Sequence, residues 1–130
     1  MDKDMMLASQ KFFVLCGVLG GFLGVLLGAF GAHALRQKLS ADLLSVFEVG
    51  VRYQMYHALT LFLVAWLYGY FTNGYVFTSG CLFIAGILIF SGSLYCLALT
   101  GIRIFGAVTP IGGVTLLAGW FFLALGMVIK

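Results

Sequence analysis

Uncharged apolar runs recur along this chain with short polar breaks between them, and their lengths are those of membrane spans. Residues 12–32 carry no charge, and at 1.5 Å of rise per residue they make roughly 31 Å of helix, enough to cross a hydrocarbon core. Three further runs follow at 53–70, 76–99 and 110–129. Between the second and third, Phe71-Thr-Asn-Gly-Tyr75 supplies turn chemistry and predicts a tight helical hairpin. Thr109 as N-cap and Pro110 at the first helical position predict where the fourth run starts, which leaves 100–109 as a loop with one charge, Arg103. Lys130 ends the sequence at the membrane interface.

The break between the first two runs is longer. Residues 33–52 hold Arg36, Lys38, Asp42, Glu48 and Arg52 interleaved with Leu39, Leu43, Leu44, Phe47 and Val51. That spacing predicts a short amphipathic helix at the membrane surface, able to run straight into the second span. Either Ser40 or Ser45 can cap it, and Ser45-Val-Phe-Glu48 matches the capping-box pattern. The expected fold is an all-α integral membrane four-helix bundle, a single domain over residues 1–130.

Composition narrows the class further. The sequence is 63% hydrophobic and 8% charged, against about half and a quarter in ordinary soluble domains. Lys3 and Lys11 before the first run, and Ala32-His33-Ala34 after it, resemble a secretory signal. The run is longer than the roughly 7–15 residues of a signal h-region, so it is read as an anchor. The net charge of +3 comes from seven scattered Lys and Arg with no basic stripe, which argues against a nucleic-acid partner. Membrane lipids and a second copy of the chain are the expected partners. Cys16, Cys81 and Cys96 form no C-x-x-C pair and lie within apolar runs, so they read as buried free thiols.

Glycines mark the packing faces. Gly20, Gly24 and Gly28 recur every fourth residue, with Ala32 continuing the ridge. Gly112, Gly119 and Gly126 recur every seventh, and the third span adds Gly86, Gly92 and Ser93. Lipid tails are as apolar as leucine, so helix association in a bilayer relies on close van der Waals contact along such bare stripes.

Candidate chemistry gathers on the second span. At 100° per residue Tyr53, Gln54, His57 and Thr60 fall within about 120° of arc, flanked by Tyr56 and Arg52. Polar groups at membrane depth need partners, so this face is expected to point into the bundle, with His33 from the end of the first span near the same surface and able to meet His57. A proton or solute relay, a metal or haem between two imidazoles, and a hydrogen-bonded clamp all use such an arrangement. Two histidines without a third ligand are a poor metal signature, so no metal and no cofactor is expected. Arg36 and Arg103 are placed to bind a lipid phosphate or a carboxylate, or to snorkel. On the third span Ser91 and Tyr95 share one face and Ser93 another. No base or oxyanion hole accompanies these serines, so no catalytic residue is assigned.

The strings Gly28-Ala-Phe-Gly-Ala-His-Ala-Leu35, Tyr53-Gln-Met-Tyr-His-Ala-Leu59, Phe90-Ser-Gly-Ser-Leu-Tyr-Cys-Leu97 and Thr109-Pro-Ile-Gly-Gly113 resemble one family in order and spacing. It is the small membrane proteins catalogued as domain of unknown function 423, related to eukaryotic transmembrane protein 256. The resemblance implies a four-span bacterial inner-membrane protein with no established activity. His33, Tyr53, Gln54, His57, Ser91, Ser93, Tyr95, Thr109 and Pro110 match the family pattern. The leading expectation is a non-enzymatic membrane protein whose polar cluster binds or passes a small ligand or lipid headgroup. The alternative is an assembly subunit that docks a larger partner through its glycine faces.

Orientation follows weakly from charge. Lys3, Lys11 and Lys130 lie on the side of the termini, against Arg36, Lys38, Arg52 and Arg103 on the other. Once Arg52 is assigned to the helix, the comparison is a tie. The family resemblance then implies both termini in the cytoplasm.

Overall fold

A computed structural model describes residues 2–129; Lys130, placed at the interface by the sequence pattern, lies outside them. The described chain is all-helical, with α1 at Lys3–His33, α2 at Ala41–Tyr68, α3 at Gly74–Thr100 and α4 at Ile104–Val128. Three segments, Lys3–Gln37, Gly74–Thr100 and Ile104–Val128, are long and apolar enough to cross a membrane. α2 has the length, 28 residues or about 42 Å, but its first half carries the polar residues that lower its hydropathy.

The caps explain most of the boundaries. Asp2 accepts a hydrogen bond from the Asp4 backbone N–H and opens α1. A single 3-10 turn, Leu35–Gln37, separates α1 from α2. The amphipathic segment is therefore no separate helix: it forms the first turns of α2, capped by Ser40, whose side chain accepts from the Leu43 N–H at 3.3 Å. Ser45 lies inside that helix. Asn73 caps α3 through the Val76 N–H and also donates from Nδ2 to the Gly126 carbonyl, 3.0 Å away, which ties the end of α4 to the start of α3.

The fourth helix starts earlier than the Thr109-Pro110 signal predicts. Gly101 adopts a left-handed conformation at φ +69° and its N–H closes on the Leu97 carbonyl, ending α3 abruptly. Only Gly101–Arg103 separate the helices, and Pro110 sits inside α4. Proline is tolerated within membrane helices where nearby Ser or Thr side chains satisfy freed backbone groups. The carbonyl that Pro110 leaves without an N–H donor is that of Gly106; the Thr109 hydroxyl donates to the adjacent Phe105 carbonyl at 3.1 Å.

The helices pack in chain order, α1 on α2, α2 on α3 and α3 on α4, with little contact between α1 and α3. The α1–α2 register is antiparallel and runs along glycines. A Cβ on Gly17 would lie 2.9 Å from the Ala58 carbonyl oxygen, one on Gly20 3.0 Å from the Ala58 Cβ, and one on Gly31 3.0 Å from the Phe47 ring. Gly24 faces Met55 and Gln54, and Gly28 faces Val51. The stripe is therefore longer than the Gly20, Gly24, Gly28 repeat, because Gly17 and Gly31 extend it. On the other side of the molecule, Gly112 abuts the Phe90 backbone, Gly119 the Phe83 ring, Gly126 Val76, and Gly86 of α3 the Leu116 side chain. Gly92 differs, with no atom within 4 Å of its Cβ position.

Two aromatic plugs close the ends. Phe13, wholly buried, lies over Gly80 of α3 and meets the Tyr68 ring edge-on at 6.5 Å. Phe47 packs with Leu35, Ala98 and the Tyr95 ring at 5.0 Å.

A methyl group at Gly112 would force the α3 and α4 backbones apart, so Gly112→Ala should destabilise the protein by about 1–3 kcal/mol, as overpacking typically does. Gly92→Ala should be neutral or slightly stabilising. Thermal unfolding in detergent, followed by circular dichroism, would separate the two.

Candidate functional site

The polar residues of α2 divide between inside and outside. Gln54, His57 and Thr60 are buried, whereas Arg52, Tyr53 and Tyr56 are exposed. The face expected to point inward as a whole does so only in part, because α1 and α3 pack on adjacent sides of α2 and leave its far side open.

Gln54 is the centre of the buried set. Its Nε2 donates to the Gly20 carbonyl of α1 at 2.8 Å, and its Oε1 accepts from the Tyr95 hydroxyl of α3 at 2.6 Å. One carboxamide thus joins three helices. Glycines make this reach possible: Gly20 exposes its carbonyl, and Gly50 leaves room for Tyr95, whose ring would lie 2.8 Å from a Cβ there. One turn away from Tyr95, the Ser91 hydroxyl donates to the Gly50 carbonyl at 2.6 Å.

His57 lies one turn further along α2, about 60° round the helix from Gln54 and towards α4. Its Nδ1 is 2.7 Å from the Tyr53 carbonyl, and the Trp120 indole Nε1–H points to its Nε2 at 3.2 Å. A carbonyl can only accept, so Nδ1 carries the proton and Nε2 accepts from Trp120, the arrangement of a neutral imidazole. The ring packs against Phe83 at 5.5 Å and Trp120 at 6.0 Å. Ser93 and Thr109 complete the α3–α4 contact with hydroxyl oxygens 2.7 Å apart.

His33 does not join this set. It is exposed at the last turn of α1, and the α1–α2 register puts it level with residue 45, about 18 Å along the axis from His57. The expected meeting of the two histidines is overturned by that register. Arg36 and Arg103 are likewise exposed, in the 3-10 turn and at the α3–α4 connection. Cys16, Cys81 and Cys96 are free, but Cys81 and Cys96 are exposed and Cys16 half-buried, against the expectation of buried thiols. Among the described residues no three His, Cys, Asp or Glu side chains gather to hold a metal.

Beside the Gln54 cluster a groove of about 400 Å³ opens between α1 and α3, with α2 as its floor. Leu19, Leu23 and Leu27 form one wall and Ile84, Ile87 and Leu88 the other, with Gly20 and Gly92 lining it and Gln54, Ser91 and Tyr95 near one end. Its length, from the level of Cys16 to that of Leu27, is roughly 17 Å. All buried side-chain nitrogen and oxygen atoms among the described residues have hydrogen-bond partners, so the groove receives no free polar group from the interior. Trp120 and the Gly20 and Gly50 carbonyls were not visible as partners in the sequence. His57 and Trp120 are 63 positions apart, and backbone acceptors carry no side-chain signature.

These features define a small all-helical membrane protein with paired internal polar groups and a lateral apolar groove. The chain belongs to the family described as Protein of unknown function (DUF423), which residues 27–113 match. It is 51% identical to a UPF0382 membrane protein of Staphylococcus saprophyticus over 117 residues, covering 90% of this chain and 97% of that protein. Similar proteins of Staphylococcus haemolyticus (49%, covering 88% of this chain and 93% of the relative) and Bacillus subtilis (47%, covering 92% and 98%) carry the same description. No solved structure matches significantly.

Gln54→Leu keeps the volume but leaves the Gly20 carbonyl and Tyr95 hydroxyl without their partner. Interhelical hydrogen bonds in membranes are worth about 0.6 kcal/mol on average and up to about 1.7, so losing two should cost about 1–2 kcal/mol. The midpoint of unfolding in mixed detergent and denaturant should fall accordingly, while Ser9→Ala, at an exposed hydroxyl bonded only within α1, should leave it unchanged.

Proposed function

We propose that this protein is a non-enzymatic, four-span protein of the bacterial cytoplasmic membrane that holds a lipid acyl chain in the α1–α3 groove. The observation that carries this reading is the groove itself. It lies within the apolar runs, opens sideways towards the bilayer, and has a volume within the roughly 300–1,000 Å³ typical of small-molecule sites. Its walls are leucine and isoleucine, which suit a hydrocarbon chain and offer a charged headgroup nothing. The buried polar cluster acts as a clamp that fixes the groove's width, since Gln54 engages α1 and α3 at once. Passage of a polar solute has no support, because the interior polar groups are already paired.

α2 is the fourth span on this reading. It lies antiparallel along α1 through the glycine stripe for most of its length, and a helix so placed crosses with its neighbour. The even number of spans puts both termini on one side, and we assign that side to the cytoplasm. The 3-10 turn and the α3–α4 connection then face outward. The alternative of an assembly subunit loses the Gly20, Gly24 and Gly28 face as a docking surface, since α2 occupies it.

Native mass spectrometry of protein extracted from its own membrane should find a retained lipid. Gly92→Leu, which fills the groove from a position with no neighbour to displace, should lower the retained fraction at least several-fold with the unfolding temperature little changed. Lipid-free wild-type protein, or equal retention in the variant, would refute the groove as the site.

For orientation, a C-terminal fusion to a reporter fluorescent only in the cytoplasm should glow, and a fusion to a phosphatase active only outside should be silent. The reverse pattern would invert the assignment.

A further inference from the structure

The outward stripe of α2 is built unlike a surface made for lipid. Residues 45, 48, 52, 56, 59, 63 and 66 follow one another on this face at intervals of three and four. Its second half is apolar, with Leu59, Leu63 and Trp66 all exposed. Its first half carries Glu48, Arg52 and Tyr56, also exposed.

Depth makes this costly. Gly24 faces Met55 and Gln54 and Gly28 faces Val51, so Arg52 lies level with about residue 26 of α1 and Tyr56 with about residue 22. Residue 22 is the middle of the uncharged run 12–32. Arg52 is therefore roughly 6 Å from the bilayer midplane, inside a hydrocarbon half-thickness of about 15 Å. Exposed charge at that depth is expensive and in membrane proteins faces a partner or water. Among the described residues neither Arg52 nor Glu48 has an ion-pair partner, and the Tyr53 and Tyr56 hydroxyls, 39% and 54% exposed as residues, have no hydrogen bond.

We propose that this stripe is the interface of a symmetric homodimer in which Arg52 of each copy pairs with Glu48 of the other. The charges are self-complementary: one cation and one anion, a single helical turn apart on the same face. A two-fold axis along the membrane normal brings two α2 helices side by side at equal depth, and an isologous contact matches residue 48 with residue 52 in both directions. Side chains on a helix lean towards its N-terminus, so Arg52 leans to the level at which the second copy presents Glu48. A phospholipid phosphate would satisfy Arg52 but leave Glu48 facing another anion. The inference rests on α2 crossing the membrane, which the cytoplasm-only fluorescent reporter placed at each terminus in turn tests separately, since four spans make it glow at both ends or at neither and three spans at one end only; it is independent of the groove on the other side of α2.

The test uses the full chain in native membranes with Cys16, Cys81 and Cys96 replaced by serine. Under mild oxidation Tyr56→Cys should form a disulfide dimer several-fold faster than Leu117→Cys on the exposed face of α4. Adding Arg52→Glu or Glu48→Arg alone should cut that rate at least several-fold, and the double exchange, E48R with R52E, should restore it. Equal rates for Tyr56→Cys and Leu117→Cys would overturn the proposal even if the single charge variants failed to fold. So would a double exchange that folds without recovering, or a monomer that retains phospholipid only while Arg52 is present.

Discussion

Close backbone approach along glycine stripes is the constraint on which the rest of the molecule depends. Inside a bilayer, apolar side chains gain nothing by leaving lipid for one another, so the helices must come near enough for many weak contacts to add up. On α1 the stripe runs from Gly17 to Gly31 against α2, and on α4 from Gly112 to Gly126 against α3. The same nearness sets the polar contacts. A Gln54 side chain reaches the Gly20 carbonyl only because no side chain stands between the helices there.

Polar pairing is consequently complete inside and incomplete outside. Gln54, Ser91, His57 and Ser93 each find a partner on a neighbouring helix; three of those bonds join helices that also meet at a glycine, and the fourth, Trp120 to His57, ties α4 to α2 where no glycine contact does. A relay or a haem site needs free imidazole nitrogens or a water-filled path. His57 has both nitrogens engaged, which makes it a fastener between α2 and α4. What the interior does not use is left at its margins: an apolar groove where α1 and α3 diverge, and a charged stripe where α2 has no neighbour.

Departures from the sequence pattern share one cause. Pro110 and Thr109 form a strong helix-start signal, yet the helix begins six residues earlier at Ile104, because Gly101 in its left-handed conformation turns the chain directly after α3. Of the two caps that the sequence offered, Ser40 and Ser45 with its capping-box Glu48, it is Ser40 that caps the helix. Local motifs compete, and the one that leaves the whole helix packed against its neighbours prevails.

The sequence by itself determined the helical class, three of the apolar spans, the family, and the two glycine repeats, Gly20, Gly24, Gly28 and Gly112, Gly119, Gly126, that lie at helix contacts. Each of these is a property of one segment, readable from run length or from the angle between successive residues. It also marked Gln54, His57, Ser91, Ser93 and Tyr95 as polar residues that lipid would not tolerate unpaired. Only the tertiary structure decided which partner each takes, that His33 stands three turns from His57, and that Arg52 and Tyr56 face outward. Those outcomes depend on the register between helices, set by how side chains interlock across the contact, and the periodicity of a single helix contains no term for it.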